Sequence, residues 1–290
     1  MPEGFVNVEA LLRSQFDLLT RAERQIAGVL LEDFPVLGLA SISELAQKAQ
    51  VSPPTVVRMV QKLGFEGYGE FQEALRAELS AKISDPIRKH ERWTRDAPDS
   101  HILNRFAASV TDNLRHTLGL IDTEQFDTLA HRLADPERSV FVLGGRITGS
   151  LAGYFFKHLQ VIRPHVRLLG DSPGVWPHDL LNTRPGDLVV MFDIRRYENV
   201  LLRFAELAHG QSLEIALLTD QWGSPVSRFA TYRFNCHIEA PSAWDSGVAI
   251  LVIVEALIAR VQEMTWDTSK PRMEALENMF DRTGLFRKFT

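Results

Sequence analysis

Between Ile42 and Phe65 the chain runs ISELAQKAQVSPPTVVRMVQKLGF, a pattern that two short helices joined by a tight turn satisfy. Leu45, Ala46 and Ala49 share one stripe of the first helix. After Val51 in the turn, Ser52 offers a side-chain oxygen to cap a second helix. That helix begins at Pro53 or Pro54. Proline is tolerated in a first turn, whose N–H groups lack intrahelical partners, but Pro54 biases Pro53 away from helical angles. Val56, Met59, Val60 and Leu63 then recur at helical spacing as the stripe to be buried. Pro54, Val57, Arg58 and Gln61, flanked by Thr55 and Lys62, fall on the opposite side. No Asp or Glu occurs from Leu45 to Phe65, whereas Lys48, Arg58 and Lys62 all lie inside. A helix that enters the negative field of a DNA groove needs that absence of carboxylates. Spacing and charge together point to a helix-turn-helix whose second helix reads DNA. A helical hairpin packed on something else is the competing reading.

The bulk charge runs the other way. The 290 residues carry a net charge of −5, and residues 1–80 hold seven Lys/Arg against eleven Asp/Glu, a sum of −4. Local distribution decides such cases, and the acid-free window falls on the helix that would face DNA. Moderate, strongly salt-dependent affinity requiring two copies per site is the expectation. With 45% hydrophobic residues the chain reads as a soluble globular protein of about two domains. Its longest apolar run, Gly247 to Ala259, is too short to span a bilayer and contains Glu255, so no membrane partner is expected. The N-terminus lacks the basic-then-apolar pattern of a secretion signal. The single Cys236 excludes an internal disulfide framework and fits a reducing cytoplasm. The nine histidines form no ligand-like pair such as H-x₃-H, so neither a structural metal nor a cofactor is expected.

The runs TRAERQIAGVLLEDFP at 20–35 and SISELAQKAQVSPPTVVRMVQKLGFEGYGEFQEAL at 41–75 resemble the N-terminal domain of RpiR-type bacterial transcriptional regulators. The resemblance rests on Ala22-Glu23-Arg24, on the Ser-x-x-Thr-Val-x-Arg of the second helix, and on Leu63-Gly64-Phe65-Glu66-Gly67-Tyr68. It covers about the first quarter of the chain. One departure is Gln50, where the family usually has glycine, so a non-glycine residue is expected to hold φ > 0. Arg58 and Gln61 are the expected base-edge contacts, to guanine and adenine. Ser52, Thr55, Lys62 and Tyr68 are expected at phosphates, with Pro54 and Val57 on the same face. A homodimer or tetramer on an inverted-repeat operator in double-stranded DNA follows from that geometry.

Around this stretch, residues 1–83 read as one all-α domain. Phe5, Val8, Leu11, Leu12 and Phe16, then Ile26, Val29, Leu30 and Phe34, supply apolar faces. Thr20 with Glu23 three residues later predicts a capping box and a helix from Arg21, stopped by Pro35. Glu70 to Ile83 predicts a further helix. Residues 84–100, charged and bearing two prolines, read as a solvated inter-domain linker; contact of Arg88, Lys89, Arg92 and Arg95 with the DNA backbone is the lesser alternative. Helices are expected over His101–Leu118 and Glu124–Leu133.

From Ser139 the period changes. Ser139–Leu143, Val166–Leu169, Leu188–Phe192, Glu214–Leu218 and Tyr232–Ile238 are apolar runs of strand length. Helical patterns sit at Ser150–Ile162, Asn199–His209 and Trp244–Met264. This alternation predicts an α/β domain over 101–265, a parallel five-stranded sheet flanked by helices. The remainder, 266–290, is a tail with a short helix after Pro271.

Ligands of such sheets bind beyond the carboxyl ends of the strands. Three loops leave those ends: Gly144-Gly145-Arg146-Ile147-Thr148-Gly149-Ser150, Asp193-Ile194-Arg195-Arg196-Tyr197, and Glu239 to Ser246. Glycines permit close backbone approach, and a helix N-terminus offers N–H groups to an anion. Gly144, Gly145, Arg146, Thr148, Asp193, Arg195, Arg196 and Ser242 are therefore the expected contacts for a small anionic, hydroxyl-bearing metabolite. Asp245 and Ser246 read as helix caps, and Cys236 and His237 as core.

The order of these elements, to about residue 265, resembles a sugar isomerase (SIS) domain, which in RpiR-type regulators senses sugar phosphates or related metabolites. Gly144 fits the first glycine of the G-x-G-x-S loop, but Arg146 stands in place of the second and Thr148 in place of the serine. The Ser/Thr-rich phosphate loop expected after the third strand is replaced by Asp193–Tyr197. The resemblance implies a ligand-responsive regulator without catalysis. The rival is a sugar-phosphate isomerase or lyase on the same fold, with Glu239 as base and Arg195 on the phosphate.

Overall fold

The structure is a computed structural model that describes residues 8–32, 34–83, 87, 89, 101–170 and 172–286. Phe5, Arg88, Arg92 and Arg95 lie outside the described residues. The chain divides into two compact units, residues 1–88 and 89–290.

The first unit is all helical. Its helices are α1 (Val8–Ser14), α2 (Arg21–Glu32), α3 (Val36–Leu39), α4 (Ile42–Lys48), α5 (Pro53–Lys62) and α6 (Tyr68–Ile83). The expected capping box forms at the start of α2: the Thr20 N–H donates to Glu23 Oε2 at 2.8 Å, and the Glu23 N–H to Thr20 Oγ1 at 3.5 Å. Both members of the helix-turn-helix end alike. After α4, Gln50 takes φ 53° and the Val51 N–H reaches back to the Ala46 carbonyl at 2.9 Å. After α5, Gly64 takes φ 98° and the Phe65 N–H reaches the Val60 carbonyl at 3.1 Å. These are left-handed helix stops, which satisfy carbonyls the helix leaves over. The predicted stripe, Leu45, Ala46, Ala49, Val56, Met59, Val60 and Leu63, is buried with Ile26, Leu30, Phe71 and Leu75 in one core. Each fully buried Leu, Met or Phe contributes about 1.5–3 kcal/mol.

In the second unit, α7 (Ile102–Leu120) and α8 (Thr123–Ala134) precede an alternating run. It comprises β1 (Val140–Gly144), α9 (Gly149–Ile162), β2 (Val166–Leu168), α10 (Trp176–Leu180), β3 (Leu188–Asp193), α11 (Asn199–Gly210), β4 (Glu214–Asp220), β5 (Tyr232–Cys236), α12 (Val248–Met264) and α13 (Trp266–Thr283). The strands form one parallel sheet in the order β2-β1-β3-β4-β5, with Gly144 paired to Phe192 and Asp193 to Thr219. Phe141, Leu143, Val189, Met191, Ile215 and Leu217 pack with Leu201, Phe204 and Ala205 of α11. The chain leaves β1 toward β2 on one side and β3 toward β4 on the other. The loops after β1 and β3 thus part at the switch point of the sheet, where open α/β sheets bind ligands.

Two boundaries differ from the sequence reading. The helix expected from Trp244 starts at Val248, because residues 238–246 form a loop closed by the Ser246 N–H, which donates to the Ile238 carbonyl at 2.8 Å. The tail helix begins at Trp266 and carries Pro271 inside it, rather than starting after it. Proline removes one bond to the carbonyl four residues earlier. Packing compensates: Arg272 Nη2 donates to the Gln160 carbonyl of α9 at 2.8 Å, and Ser269 is wholly buried.

Candidate functional site

The outward face of α5 is laid bare by the burial of its other side. Pro54, Arg58 and Gln61 are exposed, and Thr55 and Val57 half-buried. Ser52 does not cap the helix; its hydroxyl lies 2.9 Å from Thr55 Oγ1, which also accepts from Arg58 Nη2 at 3.3 Å. Gln61 Nε2 donates to the Glu66 carbonyl at 3.3 Å. These are exposed, single contacts that a competing acceptor can replace. Two other expected phosphate contacts sit differently. Lys62 Nζ donates to the Leu18 carbonyl at 2.8 Å and to Glu23 Oε2 at 3.1 Å. The Tyr68 hydroxyl donates toward the Gly38 and Ala40 carbonyls, each at 3.1 Å, and burial pushes its pKa up to about 12. Both side chains hold helices together.

At the carboxyl edge of the sheet, Gly144 admits no side chain: a Cβ there would lie 2.7 Å from the Thr148 backbone. Thr148 is buried. Its hydroxyl donates to the Phe192 carbonyl at 2.7 Å and accepts the Gly145 N–H at 2.8 Å, binding the β1 loop to the end of β3. Its hydroxyl is thus part of the framework that joins the two loops. The Arg146 N–H donates to Glu198 Oε1 at 2.6 Å, while the rest of Arg146 is exposed.

The loop after β3 turns inward. Asp193 accepts from the Ser224 hydroxyl and, at 3.4 Å, from the Glu198 N–H; burial pushes its pKa up to about 7. Arg195 lies with its guanidinium 4.5 Å from the centre of the Trp222 ring. Its Nε donates to Asp245 Oδ2 at 3.1 Å, its Nη2 to Asp245 Oδ1, and its Nη1 stands 3.6 Å from Glu239 Oε1. Asp245 also takes Lys89 Nζ, at 2.5 Å. Asp220 accepts the Arg195 and Trp222 N–H groups and the Tyr197 hydroxyl, the last at 2.8 Å; burial pushes its pKa up to about 6.

Asp193 and Arg195, expected at the ligand, are held here in a buried internal network. Their loop is short, and partners on β4 and after β5 reach them before solvent does. Lys89 is likewise not a solvated linker cation but is 2% exposed within the second unit. Asp245 is an ion-pair partner and not a cap, while the Ser246 hydroxyl does accept the Val248 N–H, at 3.4 Å. Glu239 and Arg195, the two groups of the isomerase reading, face each other at 3.6 Å. Of the expected ligand contacts, Gly144, Gly145, Arg146, Arg196 and Ser242 remain at the edge, with Arg146 and Arg196 exposed and Arg196 in the left-handed region at φ 69°. Ser242 Oγ accepts the Trp244 N–H at 3.1 Å. Among the described residues, no cluster of His, Cys, Asp and Glu is arranged to hold a metal ion, and no helix is long and apolar enough to cross a membrane.

Residues 6–82 match the helix-turn-helix domain of the rpiR family, and residues 133–260 match the SIS domain. The chain is similar to the HTH-type transcriptional regulator HexR of Pseudomonas aeruginosa, 29% identical over 231 residues, 78% of this chain and 77% of that one. HexR of Escherichia coli is 24% identical over 260 residues, 87% of this chain and 86% of its own. Vibrio vulnificus NanR, solved in complex with ManNAc-6P, shares the fold with a TM-score of 0.56 at 21% identity, over 97% of this chain and 100% of that one. The sugar isomerase domain of an RpiR transcription factor from Sphaerobacter thermophilus does so with a TM-score of 0.56 at 19% identity, over 61% of this chain and 97% of that one. With an rpiR-family helix-turn-helix joined to a SIS domain, the chain belongs to the RpiR-type, ligand-responsive transcriptional regulators.

Proposed function

We propose that this protein binds an inverted-repeat operator as a homodimer or tetramer, each α5 entering one major-groove half-site. Arg58 contacts guanine and Gln61 adenine, the pairings their donor and acceptor geometry favours. Ser52, Pro54, Thr55 and Val57 line the same face, with the two hydroxyls at phosphates. Lys62 and Tyr68 act one step back, by holding α5 and the start of α6 in place. The observation that carries this reading is the exposed, carboxylate-free face of α5 over a fully buried opposite stripe.

The second unit senses a small metabolite at the switch point of the sheet, beside Arg146 and Arg196. An anionic group on that metabolite would meet these two side chains, for which a forked, charge-assisted contact is the natural geometry. A differential affinity of 1–3 kcal/mol between two arrangements of the reading helices suffices for regulation. Selection of operator sequences from a random duplex pool, followed by titration at fixed salt, tests the DNA half. Arg58→Ala and Gln61→Ala each lose about ten-fold or more in affinity and relax specificity at one base position. Unchanged affinity in both would remove α5 as the reading helix.

A further inference from the structure

The crevice between the β1 and β3 loops contains a carboxylate of the protein itself. Glu198 is the residue that precedes α11, in the position from which a side chain ordinarily caps its own helix, yet it makes no such bond. Its carboxylate crosses instead to the glycine loop, where Oε1 accepts the Arg146 N–H at 2.6 Å. The approach is close enough that a Cβ at Gly145 would lie 2.5 Å from the same oxygen.

Three further N–H groups of the loop are spent as well. The Gly145 N–H goes to Thr148 Oγ1 at 2.8 Å, the Gly149 N–H to the Gly145 carbonyl at 2.7 Å, and the Ser150 N–H to the Ile147 carbonyl at 3.3 Å. A glycine loop running into a helix is a ready anion site, because its N–H groups and the helix dipole favour negative charge. Here an internal anion holds one of those N–H groups from the neighbouring loop. A phosphate dianion entering the crevice would have to expel Glu198 or accept its repulsion at close range.

We infer that Glu198 determines the specificity of the sensor site by closing it to phosphomonoesters, so that the effector is a non-phosphorylated, hydroxyl-bearing metabolite whose charge, if any, faces the Arg146 and Arg196 side chains. The inference rests on the placement of the sensor site given above. It also accounts for the β3 loop: with Asp193 and Arg195 turned into the interior, no hydroxyl-rich cradle faces the glycine loop, and Glu198 takes that place.

The test is thermal unfolding of the full chain at constant ionic strength with inorganic phosphate, glucose 6-phosphate, and a panel of monocarboxylic hydroxy acids. The wild type is compared with Glu198→Gln, which keeps size and removes charge, and with Glu198→Thr, which removes the carboxylate arm. Wild type is expected not to respond to either phosphate compound, and at least one folded variant to gain about 2 °C or more with excess ligand. A wild type stabilised by glucose 6-phosphate as much as the variants would overturn the exclusion and leave the sensor reading standing. Variants that fold and gain nothing would overturn it too. A phosphate gain in the variants, with no hydroxy acid acting on the wild type, supports the exclusion and counts against the sensor reading.

Discussion

Lys89 Nζ lies 2.9 Å from the Trp244 carbonyl and 2.5 Å from Asp245 Oδ1, although the two residues are separated by 156 positions in the chain. Burial lowers the Lys89 pKa, and Asp245 works against that loss. Arg195 shares the same carboxylate and has Glu239 at 3.6 Å, so two carboxylates face two buried cations.

Asp245→Asn therefore leaves two buried cations short of their common partner, and its expected cost is about 3–5 kcal/mol. Lys89→Met costs less, because Arg195 still neutralises Asp245. Urea unfolding followed through the transition of the second unit measures both. Equal, sub-kilocalorie effects would show that the pair adds nothing to stability.

The helix-turn-helix was legible because two signals coincide on one stretch, the stripe from Val56 to Leu63 and the missing carboxylates. The sheet was legible because fully buried parallel strands read as unbroken apolar runs, as in LVVMF at 188–192. The crossover helix Trp176–Leu180 was not, since five residues carry no helical period. The loops at the carboxyl edge of the sheet could be located from strand ends, but whether an arginine there turns outward or inward depends on distant partners. Arg195 and Asp245 are 50 positions apart, and no local pattern pairs them. Glu198 escaped notice because its partner, the Arg146 N–H, lies 52 positions away in the chain.

Lys62 ties the end of α5 to the Leu18 carbonyl and to Glu23. Burial raises the Glu23 pKa, but the Thr20 N–H and Lys62 outweigh it and the net direction is down. The Lys62 side chain is 39% exposed, so solvent screens the pair and Lys62→Gln is expected to cost only about 0.5–1 kcal/mol in the first unit. If Lys62 served phosphate alone, thermal unfolding of the variant would match the wild type while the salt slope of DNA binding fell by about one.

Gln50 holds φ 53° in the turn between the two helices, a conformation glycine enters without steric penalty. Gln50→Gly relieves that strain and, against the added entropy of the unfolded chain, should raise stability by about 0.5–1 kcal/mol. Chemical denaturation resolves a gain of this size. A loss instead would mean that the Gln50 side chain contributes a contact worth more than the strain.

Asp193 and Asp220 are pushed up by burial to about 7 and about 6. Both are acids whose folded pKa exceeds the unfolded value, so the folded state binds more protons than the unfolded chain between about pH 4 and 7. Their contribution to stability is present at the acid end of that window and is lost as pH rises through 6 to 7. In Asp193→Asn the amide stands in for the neutral acid and accepts from Ser224 at every pH, which removes this residue's share of the slope. From pH 5 to 7.5 the wild type is expected to lose about 1–3 kcal/mol relative to Asp193→Asn, measured by paired urea titrations at each pH. Because the other titrating groups are common to both proteins, they cancel in the comparison. A stability difference that stays flat over the window would show that Asp193 ionises as an ordinary carboxylate, and that the Ser224 contact holds it charged.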